Sequence, residues 1–386
     1  MKKILPILII LFMATDLNAQ EKDHNVSLNG HLQGLELLWI PPSTSYWQTM
    51  TTIYNRLDFR WSWNKGLSFH AGARNLFNYG KLVQDTYPLY PEIATFDDGF
   101  FELTKLWAKD TSFFFYSNID RLNLKYRIGK FEVTAGRQRI NWGINLVWTP
   151  NDIFNSFNYF DFDYVERPGC DALLMEYFTS YTSSIQFAYK LDHRERITSA
   201  LMYKFNKWNY DFQLLGGVMT DDAVLGAGWS GDIKGAGFNG EMSYFHDIDN
   251  FNDTNGIFVG SIGANYTLRN GLFLHASYLF NSGGTTGPAG WGSPFALYLD
   301  INAKNFTLAR HSIFGEASYP ITPLLNANIS SIFNPNDKSG YAGPSLDISL
   351  TDNMSLFFIG QLFWGASGTE FGDYGSLIYI RLKWSF

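Results

Sequence analysis

Ser376-Leu-Ile-Tyr-Ile-Arg-Leu-Lys-Trp-Ser-Phe386 ends the chain, and its side chains sort onto two faces. Ile378, Ile380, Leu382, Trp384 and Phe386 share one face; Tyr379, Arg381, Lys383 and Ser385 share the other. A period of two is that of a β-strand. One greasy face backed by a wet, charged one suits a strand set between hydrocarbon and water. An edge strand of a soluble sheet would alternate in the same way, so the rest of the chain has to decide.

The same alternation recurs upstream. In 52–63, Leu57, Phe59, Trp61 and Trp63 oppose Arg56, Asp58, Arg60 and Ser62. In 121–128, Leu122, Leu124, Tyr126 and Ile128 oppose Arg121, Asn123, Lys125 and Arg127. In 184–191, Ile185, Phe187, Tyr189 and Leu191 oppose Ser184, Gln186, Ala188 and Lys190. In 236–245, Phe238, Met242 and Tyr244 oppose Asn239, Glu241 and Ser243. A charge facing lipid costs about 2–4 kcal/mol at the bilayer midplane, so the charged face is the inner one. Short turns rich in Gly and Asn, such as Asn64-Lys65-Gly66, Gly129-Lys130 and Arg269-Asn270-Gly271, suit hairpins. They alternate with long connections near 40–49, 80–111, 141–168, 192–196, 219–222, 246–255, 281–310, 334–340 and 366–373. This predicts about eighteen strands (sixteen to eighteen) with both ends of the chain on one side. Backbone groups in lipid have no water to bond, so such a sheet must close. The expected fold is an all-β transmembrane antiparallel barrel, one domain over residues 20–386, wide enough to hold an aqueous bore.

Composition agrees. Aromatics are 18% of residues, and no run after the N-terminus is long and apolar enough for a membrane helix. The formal net charge of −7 argues against a nucleic-acid binder. A single cysteine, Cys170, leaves no intrachain disulfide to staple the fold. MKKILPILIILFMATDLNAQ reads as a signal peptide over residues 1–19, with Lys2 and Lys3 before a short apolar core and Ala19 at the cleavage point. A last strand with Trp384 and a terminal Phe386 resembles the assembly signal of bacterial outer-membrane barrels. That resemblance implies a diderm outer membrane, with its lipid, lipopolysaccharide and barrel-assembly machinery as partners.

Between two strands lies GRQRINWGINLVWTPNDIFNSFNYFDFDYVERPG, residues 136–169. Its roughly 25 central residues show no strand period, and connections beyond about 12–15 residues are uncommon unless functional. It is expected to fold back into the bore over 141–168 and constrict it. Inward positions before it are basic: Arg56, Arg60, Arg74, Arg121, Lys125 and Arg127. The loop carries Asp152, Asp161, Asp163 and Glu166, beside Arg167. Acids held against a basic wall would set a transverse field across a narrow gap, selecting solutes by size and charge; the alternative is charge pairing that only pins the loop. Arg137 and Arg139 fall on the lipid side by strict alternation from Phe131, Val133 and Ala135. A bulge at Gly136 would turn both inward, adding them to the pore lining. The loop aromatics suit a small core of the loop's own, with Trp142 and Trp148 as candidates for solute contact.

GRQRINWG, WTPNDIF and ERPGCDA resemble a pattern in porin-like outer-membrane barrels, including relatives of the alginate-export barrel. The resemblance covers Arg137, Gln138, Trp142, Pro150, Asp152, Arg167 and Pro168. It implies a passive channel; the residues themselves offer no convincing catalytic constellation, and no cofactor or metal is expected.

Weaker constellations point nowhere firm. His275 and Ser277 lie two apart but on the inward face, wrong for a lipid-facing hydrolase. Residues 247–255, DIDNFNDTN, offer oxygens without EF-hand spacing and read as a turn-rich loop. The 281–310 connection is expected to hold a short helix near Phe295–Ala303. The reading that follows is an outer-membrane channel for small polar, anionic solutes such as sugar acids or oligosaccharides. Its rival is a plugged barrel that binds, attaches or exports surface polysaccharide.

Overall fold

The structure, a computed structural model, describes residues 25–42, 46–63, 66–164, 166–252, 255–288, 290 and 301–386. The expected signal peptide lies outside these residues, as do residues 64–65 of one expected turn and most of the expected helix near Phe295–Ala303. Residues 301–303, which are described, are not helical.

Among the described residues, alternation delivers nineteen strands. The first group is β1 (Val26–Ile40), β2 (Gln48–Ser62), β3 (Leu67–Tyr79), β4 (Thr104–Asp110), β5 (Phe113–Ile128) and β6 (Phe131–Gln138). The second is β7 (Cys170–Phe178), β8 (Ser184–Leu191), β9 (Ile197–Lys207), β10 (Tyr210–Met219), β11 (Asp222–Ile233) and β12 (Ala236–Asp247). The third is β13 (Ile257–Thr267), β14 (Phe273–Asn281), β15 (His311–Thr322), β16 (Leu325–Asn334), β17 (Ser339–Thr351), β18 (Met354–Trp364) and β19 (Ser376–Ser385).

Leaving β4 aside, each strand pairs with two antiparallel neighbours and the eighteen close a ring, β19 returning to β1. Phe386 finishes the seam: it and Gly30 exchange both backbone hydrogen bonds, each 2.9 Å. A Cβ at Gly30 would lie 2.8 Å from the Phe386 ring, so the terminal ring packs where Gly30 leaves room. Trp384 and Phe386 stand together with ring centroids 5.4 Å apart.

The usual burial order is inverted. Ile53, Leu124, Leu201, Leu225, Ile329 and Leu382 are exposed on the outer face, while Gln33, Arg56, Gln213, Glu241 and Gln361 are buried on the inner one. That is the arrangement lipid outside and protein or water inside demand.

The long 80–111 connection, read from sequence as a plain loop, folds into α1 (Lys81–Thr86), α2 (Leu89–Ala94) and β4. Pro88 is the N-cap of the second helix and Pro91 lies in its first turn, where a missing N–H breaks no helical bond. Leu82 and Val83 of α1 pack on the inward Leu37, Met50 and Phe114, forming one apolar core. A larger one gathers Trp142, Trp148, Phe154 and Phe160 against Phe314, Tyr341, Phe371 and Tyr374. β4 pairs with residues 113–118 of β5, on the edge where β6 pairs only with residues 122–128, so it continues the wall beyond the short β6.

Candidate functional site

The connection from β6 to β7 runs against inward-facing side chains of many strands. The Trp142 indole N–H donates to Gln186 of β8 at 2.8 Å, and Gln213 of β10 donates to the Trp142 carbonyl at 2.7 Å. The backbone N–H groups of Ile144 and Asn145 donate to Glu241 Oε1 on β12 at 3.0 and 2.7 Å. Asn151 N–H donates to Glu241 Oε2 at 3.0 Å. Ser261 of β13 donates to the Trp148 carbonyl at 2.9 Å, and Gln361 of β18 to the Phe160 carbonyl at 2.9 Å. Gln33 of β1 donates to Asp163 at 2.8 Å, and the Tyr164 hydroxyl donates to Asp120 of β5 at 2.6 Å. A loop withdrawn from water needs partners for its backbone, and the inward Gln, Ser and Glu residues provide them. Glu241 is the densest anchor, one carboxylate accepting three backbone N–H groups.

The inward arginines divide into two kinds. Arg56, 3% exposed, donates to Asp120 at 2.6 Å and to Asp58 at 3.2 Å, with Glu166 of the loop 3.7 Å away. Arg121 donates to the carbonyls of Asp120 at 2.7 Å, Arg167 at 2.9 Å, and Glu166. Both therefore hold the loop rather than face water. Arg74 lies over the Tyr164 ring, 3.4 Å from its centroid. Arg60, 65% exposed at its side chain, reaches Asp58 at 3.1 Å, and Lys125 reaches Glu132 at 2.6 Å. Arg127 sits 5.0 Å from the Phe178 ring. These three stay in contact with solvent.

Asp120 went unnoticed in the sequence. Gly72 pairs with Arg121 while Ala73 pairs with Ile119, so Asp120 is the extra residue of a bulge. The signal was present: apolar positions run odd through Phe113, Phe115 and Ile119, then even from Leu122, and the phase change falls on Asp120-Arg121. Arg381, on the inner face by its alternation, is a further partner of the loop. It lies 3.5 Å from Asp163, because closure sets the last strand beside the first.

Arg137 does not line the bore. The pairing of β6 with β5 and β7 runs without a register shift through Gly136, whose φ of +110° leaves alternation intact. Arg137 stays on the outward side and is sealed there. Its guanidinium grips Asp171 at 2.7 and 2.8 Å, Asp97 at 2.8 Å and the Phe101 carbonyl at 2.6 Å. A Cβ at Gly99 would sit 1.8 Å from that guanidinium, so the segment carrying Asp97 lies directly on it. Burial would raise the Asp97 pKa, but the guanidinium and the backbone N–H groups of Gly99 and Leu103 outweigh it and bring the pKa down.

Arg139, past the end of β6, lies among Asp152, Arg121 and Arg167. Asp152 is fully buried, and burial pushes its pKa up to about 6 against the pull of Arg139. Burial and the Arg139 charge bring Arg167 down to about 10, and its guanidinium lies 3.0 Å from the Phe157 ring centroid. Asp161 is exposed. Trp142 and Trp148, 1% and 2% exposed, are core residues and not solute contacts. Trp148 meets Phe314 edge-on at 6.2 Å, and Trp142 meets Phe154 at 4.8 Å. His275 is buried on the inner face, 3.6 Å from Glu316, and Ser277 accepts from Asn145 at 3.1 Å. In the 247–255 stretch, of which residues 253 and 254 are outside the described set, Asp247 accepts the Asn250 N–H at 2.9 Å as in an ordinary turn.

Eighteen antiparallel strands, apolar outside, polar inside and sealed through a terminal Phe, settle the architecture. It is that of an outer-membrane barrel. Similar solved structures are outer-membrane porins of the Occ/OprD kind. Acinetobacter baumannii OccAB4 matches at TM-score 0.59 and 9% identity, covering 94% of this chain and 98% of that one. Pseudomonas aeruginosa OprD matches at 0.57 and 11%, covering 96% of each. The P. aeruginosa outer membrane protein opdK matches at 0.57 and 12%, covering 94% and 98%. At such identities the likeness is one of fold. No family model and no curated protein matches the chain. The solved structures show the porin architecture, not the alginate-export group.

Proposed function

We propose that the protein is a passive outer-membrane channel for small polar solutes, favouring anions such as sugar acids. One observation carries this reading: basic side chains are concentrated in one sector of the inner wall, where they outnumber the acids Asp58, Asp120 and Glu132. Arg381 and Lys383 of β19, Arg56 and Arg60 of β2, Arg74 of β3, and Arg121, Lys125 and Arg127 of β5 occupy neighbouring strands. The wall from β12 to β16 presents mainly Asn and Ser, as in Asn239, Ser261, Ser277 and Ser330, with the acids Glu241 and Glu316 and no Lys or Arg among its described buried residues. A one-sided basic wall in a confined bore lowers the barrier for anions. The loop then acts by narrowing the bore beside that wall, with Arg60, Lys125 and Arg127 meeting the solute and Arg56 and Arg121 fixing the loop. Reconstitution in planar bilayers tests this. A salt gradient should give a reversal potential of the sign for anion preference, and Arg127→Glu with Lys125→Glu should shrink it.

A second reading, a plugged barrel that binds or exports surface polysaccharide, has one observation in its favour. Phe306, Phe371 and Glu370 from two other connections close over Trp148 and Phe160 around a space too small for a solute. Zero conductance together with retention of polysaccharide on washed cells would favour it over the channel.

A further inference from the structure

The outward face of β1, β2, β3 and β5 breaks its own rule. Asn55, Asn75 and Ser117 are direct partners across three strands, all on the outward alternation. Directly above them runs the row Ile53, Phe77 and Phe115, and directly below runs Leu57, Ala73 and Ile119. The polar row is therefore set inside the apolar belt. Its members are joined in one direction. Trp107 Nε1, on β4, donates to Ser117 Oγ at 2.8 Å. Ser117 donates to Asn75 at 2.5 Å, and Asn75 Nδ2 donates to Asn55 Oδ1 at 3.0 Å. The Asn55 amide N–H2 takes no part in this chain. Hydrocarbon offers such groups nothing, and polar side chains facing lipid in a row are costly unless another protein surface covers them.

We propose that this face is where a second copy of the chain docks within the membrane, as a two-fold pair centred on Asn75. Asn is both donor and acceptor, so the row complements itself when rotated by a two-fold axis. An acyl chain could not do this. The row is also approachable. Gly34 lies on the same outward side, and a Cβ there would meet nothing within 4 Å. Ala71 and Ala73 flank the row on β3. The face spans four strands about 4.8 Å apart and about 27 Å of strand length, or about 500 Å² before side-chain relief. That is about two-thirds of the roughly 800 Å² per partner of a standard interface, the size of a weaker, reversible contact.

The test uses the full-length protein in native outer membranes. Asn75→Cys should give a disulfide-linked dimer on mild oxidation, while Leu225→Cys, exposed on distant β11, should not. In a chemical cross-linking assay, Asn55→Leu with Asn75→Leu should lower the dimer fraction about tenfold, a loss matched to in-membrane hydrogen bonds of about 0.6–2 kcal/mol each. Heat-modifiable migration reports that these variants still form the barrel. The proposal is overturned if Asn75→Cys links no better than Leu225→Cys, if it links only to a different protein, or if the double Leu variant dimerises as the parent does.

Discussion

Glu241 provides the sharpest test of how the loop is held. Glu241→Gln keeps the size of the side chain and one carbonyl oxygen but replaces the other oxygen with an N–H2 group. That group would face either the Asn151 N–H or the Ile144 and Asn145 N–H pair, donor against donor. Each hydrogen bond contributes about 0.5–1.5 kcal/mol, and an orphaned buried donor costs about 1–3 kcal/mol. With at least one of the three bonds lost and the rest weakened, the loop should lose about 3 kcal/mol of attachment. Every 1.4 kcal/mol is a factor of ten, so local opening should become about a hundredfold more frequent. Hydrogen exchange reads this directly, because the Ile144, Asn145 and Asn151 amides are the donors. Their exchange should quicken by about that factor while the amides of β12 itself stay protected. Unchanged exchange at those three amides in a folded Glu241→Gln barrel would refute the clamp.

Other consequences follow from the same geometry. Arg137→Met should strand Asp97 and Asp171 and lower stability by about 3–5 kcal/mol, read as an earlier loss of heat-modifiable migration, with ion selectivity unchanged. Raised to about 6 by burial, Asp152 takes up a proton more readily folded than unfolded. Loop packing should therefore be tightest below about pH 4 and loosen as pH rises through about 6. Asp152→Asn should flatten that dependence in loop hydrogen exchange. Phe386→Ala removes the ring that packs at Gly30 on the closing seam and should reduce folded yield in the outer membrane, measured by the heat-modifiable fraction.

Much of this barrel is legible in the sequence because lipid enforces a period of two. The outward Leu57, Phe59 and Trp61 and the inward Arg56 and Arg60 follow from it without further information. Where the period slips, the reading slips with it. Asp120 was lost in a bulge, whereas Gly136 was given a bulge it lacks, since a glycine at positive φ need not shift the register. Arg137 looked like a pore residue because its true partner, Asp97, comes from a segment forty residues earlier that doubles back over it. The destination of the loop was harder still. Glu241, Gln361 and Gln33 meet it across about ninety to two hundred residues of sequence. Nothing local marks them apart from any other polar side chain on an inner face. The loop's tryptophans illustrate the same limit: sugar-stacking and core packing require the same residue, and only burial separates them.

Reversal potential in a planar bilayer under a salt gradient bears most directly on the claim that the basic sector of the wall governs passage. The wild-type barrel should conduct and should pass chloride in preference to potassium. A preference for potassium, or a bilayer that stays silent with folded barrels present, would contradict it.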